Sequence, residues 1–348
     1  MNHIKNIEIK NFKSIRHQTI DDCRRVNIFI GYPNVGKSNI LEAVSFLTFI
    51  KKKRSSILTN LIRFERFNQL FNDLRVSASA LISFNDKYTF EINYEDESEL
   101  FLRLYKSNPY EYPSSVGLYV SREMINSPSF DGVDDFSGRF TDLADFQVKP
   151  YKYFSKEKFN KSFSAIELKV PVGENMFEVI SNNSELTKQF SEILKPYNLS
   201  LIIDQSNSDI KINLKKEGDV FYSIPTSMIA DTLIRLIFFK TAIYSNKDSV
   251  LLFEEPEAHM FPPYISKLTS DIIYDKNDNQ YFIATHSPFV LNDFMEDMDK
   301  EDLSIYAVGL KDGATAIRRL SDEEITEVYQ YGVDLFFNLE DYLKDTVA

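Results

Sequence analysis

Cysteine occurs once in this sequence, at Cys23, and histidine four times in 348 residues. A single thiol cannot build an internal disulfide framework, and it excludes a cysteine-based metal site. The scattered histidines add little to a case for a transition metal. No internal repeat and no low-complexity linker is present. No run approaches the ~18 consecutive apolar residues of a membrane helix, and the N-terminus lacks the apolar core of a signal peptide. A cytoplasmic protein with no membrane contact is expected. An excess of positive charge is also missing. The formal net charge of −12 opposes nucleic-acid binding over the whole surface, because that affinity comes from neutralised phosphates. What is abundant is apolar: 43% of residues are hydrophobic, ample for a core in one large domain or two modest ones.

The chain is organised around Gly31-Tyr32-Pro33-Asn34-Val35-Gly36-Lys37-Ser38, which fills every fixed position of the pattern G-x-x-x-x-G-K-[ST]. Glycines at both ends let successive backbone N–H groups turn inward around phosphate oxygens. Lys37 then reaches the β and γ phosphates, and the Ser38 hydroxyl ligates Mg2+. ATP with Mg2+ is the expected ligand. The context is strand, loop, helix: residues 26–30 are a short buried-strand run, and residues 38–50 carry apolar Ile40, Val44, Leu47 and Ile50. The helix N-terminus points its partial positive charge at the phosphates, which adds Asn39 to the binding set.

A second chemical stretch follows far downstream. Residues 250–253 are an apolar run that delivers Glu254 and Glu255, as a strand does at its C-terminal edge beside a phosphate loop. By position Glu254 helps hold Mg2+, through water, and Glu255 polarises the water that attacks the γ-phosphate. A helix over residues 263–274 leads to another core strand, residues 281–284, which delivers Thr285-His286-Ser287-Pro288.

Elsewhere the patterning is architectural. Residues 4–9 alternate as a strand and lead through a turn at Asp21-Asp22 into the loop strand; a charged helical stretch runs to about Leu74. Strands are expected at residues 78–84, 88–94 and 100–105, with Asn85-Asp86 as a hairpin turn, and at 116–120 among loops. Residues 184–197 form an amphipathic helix with Leu186, Phe190, Ile193, Leu194 and Tyr197 on one face, and a hairpin follows over 210–224. A hairpin over 303–320 and a helix started by a Ser321/Glu324 capping box and stopped by Gly332 end the pattern. Two basic patches stand out: Lys51-Lys52-Lys53-Arg54 with Arg63 and Arg66, and Lys149, Lys152, Lys156, Lys158 and Lys161 among Tyr151, Tyr153, Phe154 and Phe159. They read either as a DNA-tracking surface or as a solvated face over a buried aromatic stripe.

Three strings carry a resemblance. Asn11-Phe12-Lys13-Ser14 stands before the loop, Asn39-Ile40-Leu41-Glu42-Ala43 follows it, and Glu254-Glu255-Pro256-Glu257-Ala258-His259 is followed by Pro262. Together they resemble ABC-type ATPase heads of the SMC, RecF and OLD kind. The resemblance implies an α/β P-loop NTPase with a mixed sheet flanked by helices, an antiparallel β-subdomain and a helical lobe. Residues 1–348 are then one head: 1–50 and 223–320 the nucleotide core, 75–106 the β-subdomain, 150–222 the helical and hairpin lobe, 321–348 a helical tail. His286 matches the histidine that touches the γ-phosphate in such heads and joins Glu255 as the catalytic pair. The implied activity is slow ATP hydrolysis. The implied partners are a second copy in an ATP-sandwich homodimer and a separate effector such as a nuclease, in phage defence or DNA maintenance.

The chain departs from the family in places. Val35 replaces a small residue. The signature stretch is Ala230-Asp231-Thr232-Leu233-Ile234-Arg235, keeping the Arg but losing the Ser, Gly and Gln. Asp231 either N-caps the helix over 232–244, leaving Ser227 or a backbone amide for phosphate, or it faces a partner's γ-phosphate and repels it; the cap is the preferred reading. Gln147 is the best-placed Q-loop residue. No heptad pattern persists, so the coiled coil of SMC proteins is not expected here, and neither is the Toprim domain of OLD nucleases. A non-hydrolysing nucleotide-gated scaffold stays open as an alternative. So does a transporter subunit, although L-S-G-G-Q and D-E-P-[ST] are absent.

Overall fold

The computed structural model describes residues 3–50, 60–106, 115–121, 147–155, 166–204, 209–215, 221–224 and 228–344. The chain divides into two compact units, Met1–Pro150 with Asp248–Glu255 and Gln280–Ala348, and Tyr151–Lys247 with Pro256–Asn279.

The first unit opens with β1 (Ile7–Phe12), β2 (Ile15–Ile20) and β3 (Val26–Gly31), and continues through α1 (Lys37–Ser45) to β4 (Ala80–Phe84), β5 (Tyr88–Tyr94), β6 (Glu99–Lys106) and β7 (Ser115–Ser121). An antiparallel sheet runs in the order β2-β1-β4-β5-β6-β7, so it reaches well beyond residues 75–106. The pattern of residues 4–22 predicts one strand and a turn where the chain makes the β1–β2 hairpin. The reason lies in β2, whose buried positions Ile15, Gln18 and Ile20 break the two-residue period. The Asn85-Asp86 turn is as expected: both residues take positive φ, 53° each, the left-handed pair of a type I′ hairpin turn. The helical stretch expected up to Leu74 is corrected. Its described end consists of short 3₁₀ turns, Phe67–Leu70 and Asn72–Leu74, because the backbone turns extended at Phe71, φ −104° and ψ 143°, and left-handed at Asp73, φ 51°.

A second sheet in this unit has the order β15-β14-β3-β13-β12-β8, with β8 (Val148–Tyr151), β12 (Val250–Glu254), β13 (Gln280–Thr285), β14 (Leu303–Lys311) and β15 (Ala314–Arg319). β12, β13, β3 and β14 pair in parallel and β15 is antiparallel, which makes the sheet mixed. Helix α1 lies between the two sheets. Its Ile40 and Val44 share one core with Ile9 and Phe12 of the first sheet and Phe29, Leu252 and Phe282 of the second. On the second sheet's register, Glu254 stands opposite Ala284, and Thr285 opposite Ile30. The C-terminal ends of β3, β13 and β12 are therefore neighbours. The described residues of this unit also form α6 (Pro288–Asp297), α7 (Asp322–Tyr331) and α8 (Leu339–Leu343), labelled in chain order. The Ser321/Glu324 capping box forms as expected, and Gly332 ends α7 at φ 63°.

The second unit holds α2 (Met176–Asn182), α3 (Ser184–Leu194), α4 (Asp231–Tyr244) and α5 (Pro262–Ile273), with a three-stranded sheet of β9 (Leu199–Asp204), β10 (Asp209–Lys215) and β11 (Phe221–Ile224) in the order β11-β10-β9. Asn183 caps α3 by accepting from Glu185 and Leu186 N–H at 3.1 Å each. Leu186, Phe190, Ile193 and Leu194 are buried as expected. Tyr197 is not: the α-helix ends at Leu194, a 3₁₀ turn carries the chain off the face, and Tyr197 is 46% exposed. Among the described residues no helix is long and apolar enough to cross a membrane.

Candidate nucleotide site

The residues of the 31–38 loop, Glu254, Glu255 and His286 all lie in the first unit. β3 ends at Gly31, and Gly36, at φ 107° and ψ 8°, immediately precedes α1. A Cβ at Gly36 would overlap the Thr315 hydroxyl, and one at Gly31 would overlap the Val308 carbonyl, so neither position admits a side chain. Tyr32, Pro33 and Asn34 are exposed at the tip, Asn34 at φ 63°, while Val35 is buried in the core beneath. Its bulk is taken up by the core of this unit.

The back of the loop is fixed by a relay that sequence reading missed. Asn39 Nδ2 donates to Ser14 Oγ at 2.6 Å, Ser14 and Thr315 hydroxyls meet at 2.7 Å, and Thr315 Oγ1 donates to Val35 O at 2.8 Å. Since Thr315 spends its one proton on Val35, Ser14 is the donor between them. Asn39, expected at the phosphates, thus turns its amide to the rear of the loop. The Asn11-Phe12-Lys13-Ser14 string has a physical role at each position. Asn11 donates to Ala78 O at 2.7 Å, Phe12 is buried, Lys13 pairs with Glu42, and Ser14 enters the relay.

Lys37 is buried, and its ammonium donates to Gly31 O and Tyr32 O, each at 2.8 Å. Burial pushes its pKa down to about 8, against the opposing pull of Glu255 and Glu254. The Ser38 hydroxyl donates to Glu254 Oε1. Glu255 follows the end of β12 at φ 43°, with its N–H held by Ala284 O at 2.8 Å. That kink turns the second carboxylate away from the strand line, and His286 Nε2 stands 3.6 Å from Glu255 Oε1. Burial and then the Lys37 charge lower the His286 pKa below its usual 6.5, although Glu255 opposes them. Ser287 starts α6, accepting from Val290 N–H at 3.4 Å. Five groups expected from sequence, Lys37, Ser38, Glu254, Glu255 and His286, are therefore set at the ends of three adjacent parallel strands, the usual ligand crevice of such sheets.

The donor chemistry of Ser38 and Glu254 is compatible with Mg2+. Ser38 and Glu254 offer hard oxygen donors in contact, the sparse protein set that Mg2+ uses when substrate phosphates and water fill the rest of its shell. Among the described residues there is no cluster of three or more His, Cys, Asp or Glu able to hold a metal by itself. Arg63, part of a basic patch in the sequence, also reaches the site. Its Nη2 lies 3.1 Å from Glu254 Oε1 and its Nε 2.8 Å from Glu42 Oε1.

The signature stretch belongs to the second unit, and there the N-cap reading of Asp231 is corrected. The cap position is Ala230, Asp231 is the first residue of α4, and its Oδ1 accepts from the Tyr153 hydroxyl at 2.6 Å. Burial, then Asp231 itself, raises the Tyr153 pKa, so the phenol stays a donor. Arg235 stacks over Tyr153 and Phe239 at 5.2 and 5.8 Å and donates to Pro256 O at 3.0 Å. Tyr151 is withdrawn from base stacking: it is buried, with its hydroxyl on Leu168 O at 2.8 Å. Gln147 O accepts from Val250 N–H at 2.9 Å. Ser227, residues 51–54, Lys156, Lys158, Phe159 and Lys161 lie outside the described residues.

Comparison with known proteins agrees with this architecture. A crystal structure of an SMC head bound to the C-winged helix domain of ScpA superposes with TM-score 0.51 at 15% identity, covering 93% of this chain and 99% of that one, a likeness of fold. An ATP/GTP phosphatase of Helicobacter pylori is 21% identical over 85% of this chain and 88% of its own. The DNA replication and repair protein RecF of Thermoanaerobacter sp. is 37% identical over 62 residues, 18% of this chain and 17% of RecF. The chain has the α/β P-loop NTPase-like fold of an SMC head. Within that class it belongs to the family described as "AAA domain, putative AbiEii toxin, Type IV TA system", which matches residues 26–292.

Proposed function

We propose that this chain binds ATP and Mg2+ at the 31–38 loop, hydrolyses ATP slowly, and closes on a second copy around the nucleotide to signal to a separate effector. The observation that supports this best is the convergence of Lys37, Ser38, Glu254, Glu255 and His286 at three neighbouring strand ends. In this reading backbone N–H groups of the loop and the Lys37 ammonium hold the triphosphate. Ser38 and Glu254 would hold Mg2+, which would supply charge neutralisation to the phosphates. Glu255 orients the attacking water and draws off its proton. His286, kept neutral by burial and Lys37, offers a ring N–H to the γ-phosphate oxygens.

The whole chain then acts as one head, with residues 1–50 and 223–320 as its nucleotide core. A partner protein is in keeping with the SMC head's complex with ScpA and with the toxin–antitoxin system in the family description. A nuclease effector, in phage defence or DNA maintenance, is the working assignment, and Lys149 and Lys152 offer cations to DNA. Asp231, standing where related heads have Gly, favours a second reading as a non-hydrolysing scaffold. Glu255→Gln separates the two. It keeps the shape but loses the base, so ATP should stay bound and ATP-dependent dimers accumulate in light scattering while wild-type turnover is measurable. Hydrolysis by the variant at the wild-type rate would remove Glu255 from its role, and a wild type with no turnover would favour the scaffold.

A further inference from the structure

We propose that Arg63 is a resident counter-ion of Glu254 that competes with the divalent cation for one carboxylate oxygen, so that loading the metal and releasing the Arg63 side chain are a single event. The inference rests on the reading of Glu254 as the metal-side carboxylate. Glu254 Oε1 carries two donors, the Ser38 hydroxyl and Arg63 Nη2 at 3.1 Å. Ser38 Oγ and Glu254 Oε1 are the two protein oxygens assigned to the metal, and each is engaged in these contacts. A cation that meets Glu254 at Oε1, directly or through water, competes with the guanidinium for that oxygen, and a dication there would repel Arg63.

The arm has a buried pivot and an open end. Glu42 on α1, 3% exposed, gives one oxygen to Arg63 Nε at 2.8 Å and the other to Lys13, 9% exposed. Lys13 Nζ also donates to the Arg63 backbone carbonyl at 2.6 Å. The Arg63 side chain itself is 60% exposed, so its tip can leave Glu254 for solvent while Glu42 retains the Nε contact. Burial works against the Arg63 charge, but Glu254 and Glu42 outweigh it and hold the guanidinium protonated.

The test uses the full chain, Mn2+ as a spectroscopic probe and a non-hydrolysable ATP analogue. Arg63→Met should tighten Mn2+ in electron-paramagnetic-resonance titrations, by roughly 3- to 10-fold for a half-exposed ion pair. The same variant should weaken analogue binding in EDTA by a similar factor, because Glu254 then meets the phosphates without a counter-charge. Arg63→Lys should fall between. A merely structural role, or a direct phosphate contact, moves both measurements the same way, and that outcome overturns the proposal, as does no change in either. If wild type binds no Mn2+ with the analogue, or Glu254→Gln binds it as well as wild type, the assignment of Glu254 fails and takes the proposal with it.

Discussion

Asp231→Ala and Asp231→Gly, measured side by side, separate a helix-interior residue from a cap. As the first residue of α4 with its carboxylate on the Tyr153 hydroxyl at 2.6 Å, Asp231 contributes two terms. An acid in the first turn is worth about 0.3–1 kcal/mol against the helix dipole. A net hydrogen bond adds about 0.5–1.5 kcal/mol. Asp231→Ala therefore costs ~1–2 kcal/mol. Asp231→Gly loses the same interactions and adds the entropy of a helical glycine, up to ~1 kcal/mol more. Calorimetric melting should order the proteins wild type, Ala, Gly, with about 2–4 °C per kcal/mol. Tyr153→Phe removes only the hydrogen bond and should melt between wild type and Ala. An N-cap gives the reverse order, since Gly then costs a few tenths of a kcal/mol and Ala ~1 kcal/mol. Finding Ala less stable than Gly would refute the assignment.

Thr315→Val leaves the Val35 carbonyl and the Ser14 hydroxyl without their partner and should lower stability in urea by about 1–3 kcal/mol, with Thr315→Ser recovering the hydrogen-bonded part; a Val variant as stable as wild type would count against the relay. His286 has a folded pKa below its unfolded 6.5, so its contribution is fully present above 6.5 and is lost as pH falls through the folded value. Stability measured between pH 7 and 5 should fall less steeply in His286→Gln, and an unchanged slope would contradict the lowered pKa.

The site was legible where chemistry is local. Residues 31–38 specify a loop conformation within eight positions, and Glu254-Glu255 and Thr285-His286 each end an apolar run that can only be a buried strand. The mixed sheet was implied by the resemblance to ABC-type heads. What stayed hidden depends on partners distant in sequence. Arg63 reaches Glu254 across 191 positions, and Ser14 reaches Thr315 across 301. No periodicity encodes such pairs. Asp231 looked like a cap because a short acid before an apolar helix fits that role; Tyr153, 78 positions earlier, takes the carboxylate instead. The extent of the antiparallel sheet was missed for a related reason, since β2 buries Gln18 beside isoleucines and so lacks the alternation that marks a strand.

Nucleotide binding at the 31–38 loop is the claim on which the rest depends, and calorimetric titration of ATP with Mg2+ into wild type and Lys37→Ala tests it directly. Lys37 is the one side chain of the loop with a positive charge, and its ammonium already sits among the loop carbonyls at 2.8 Å. The account predicts saturable binding to wild type and none to the variant, with the variant still melting cooperatively as a folded protein in the absence of nucleotide. ATP affinity unchanged in Lys37→Ala would contradict the site.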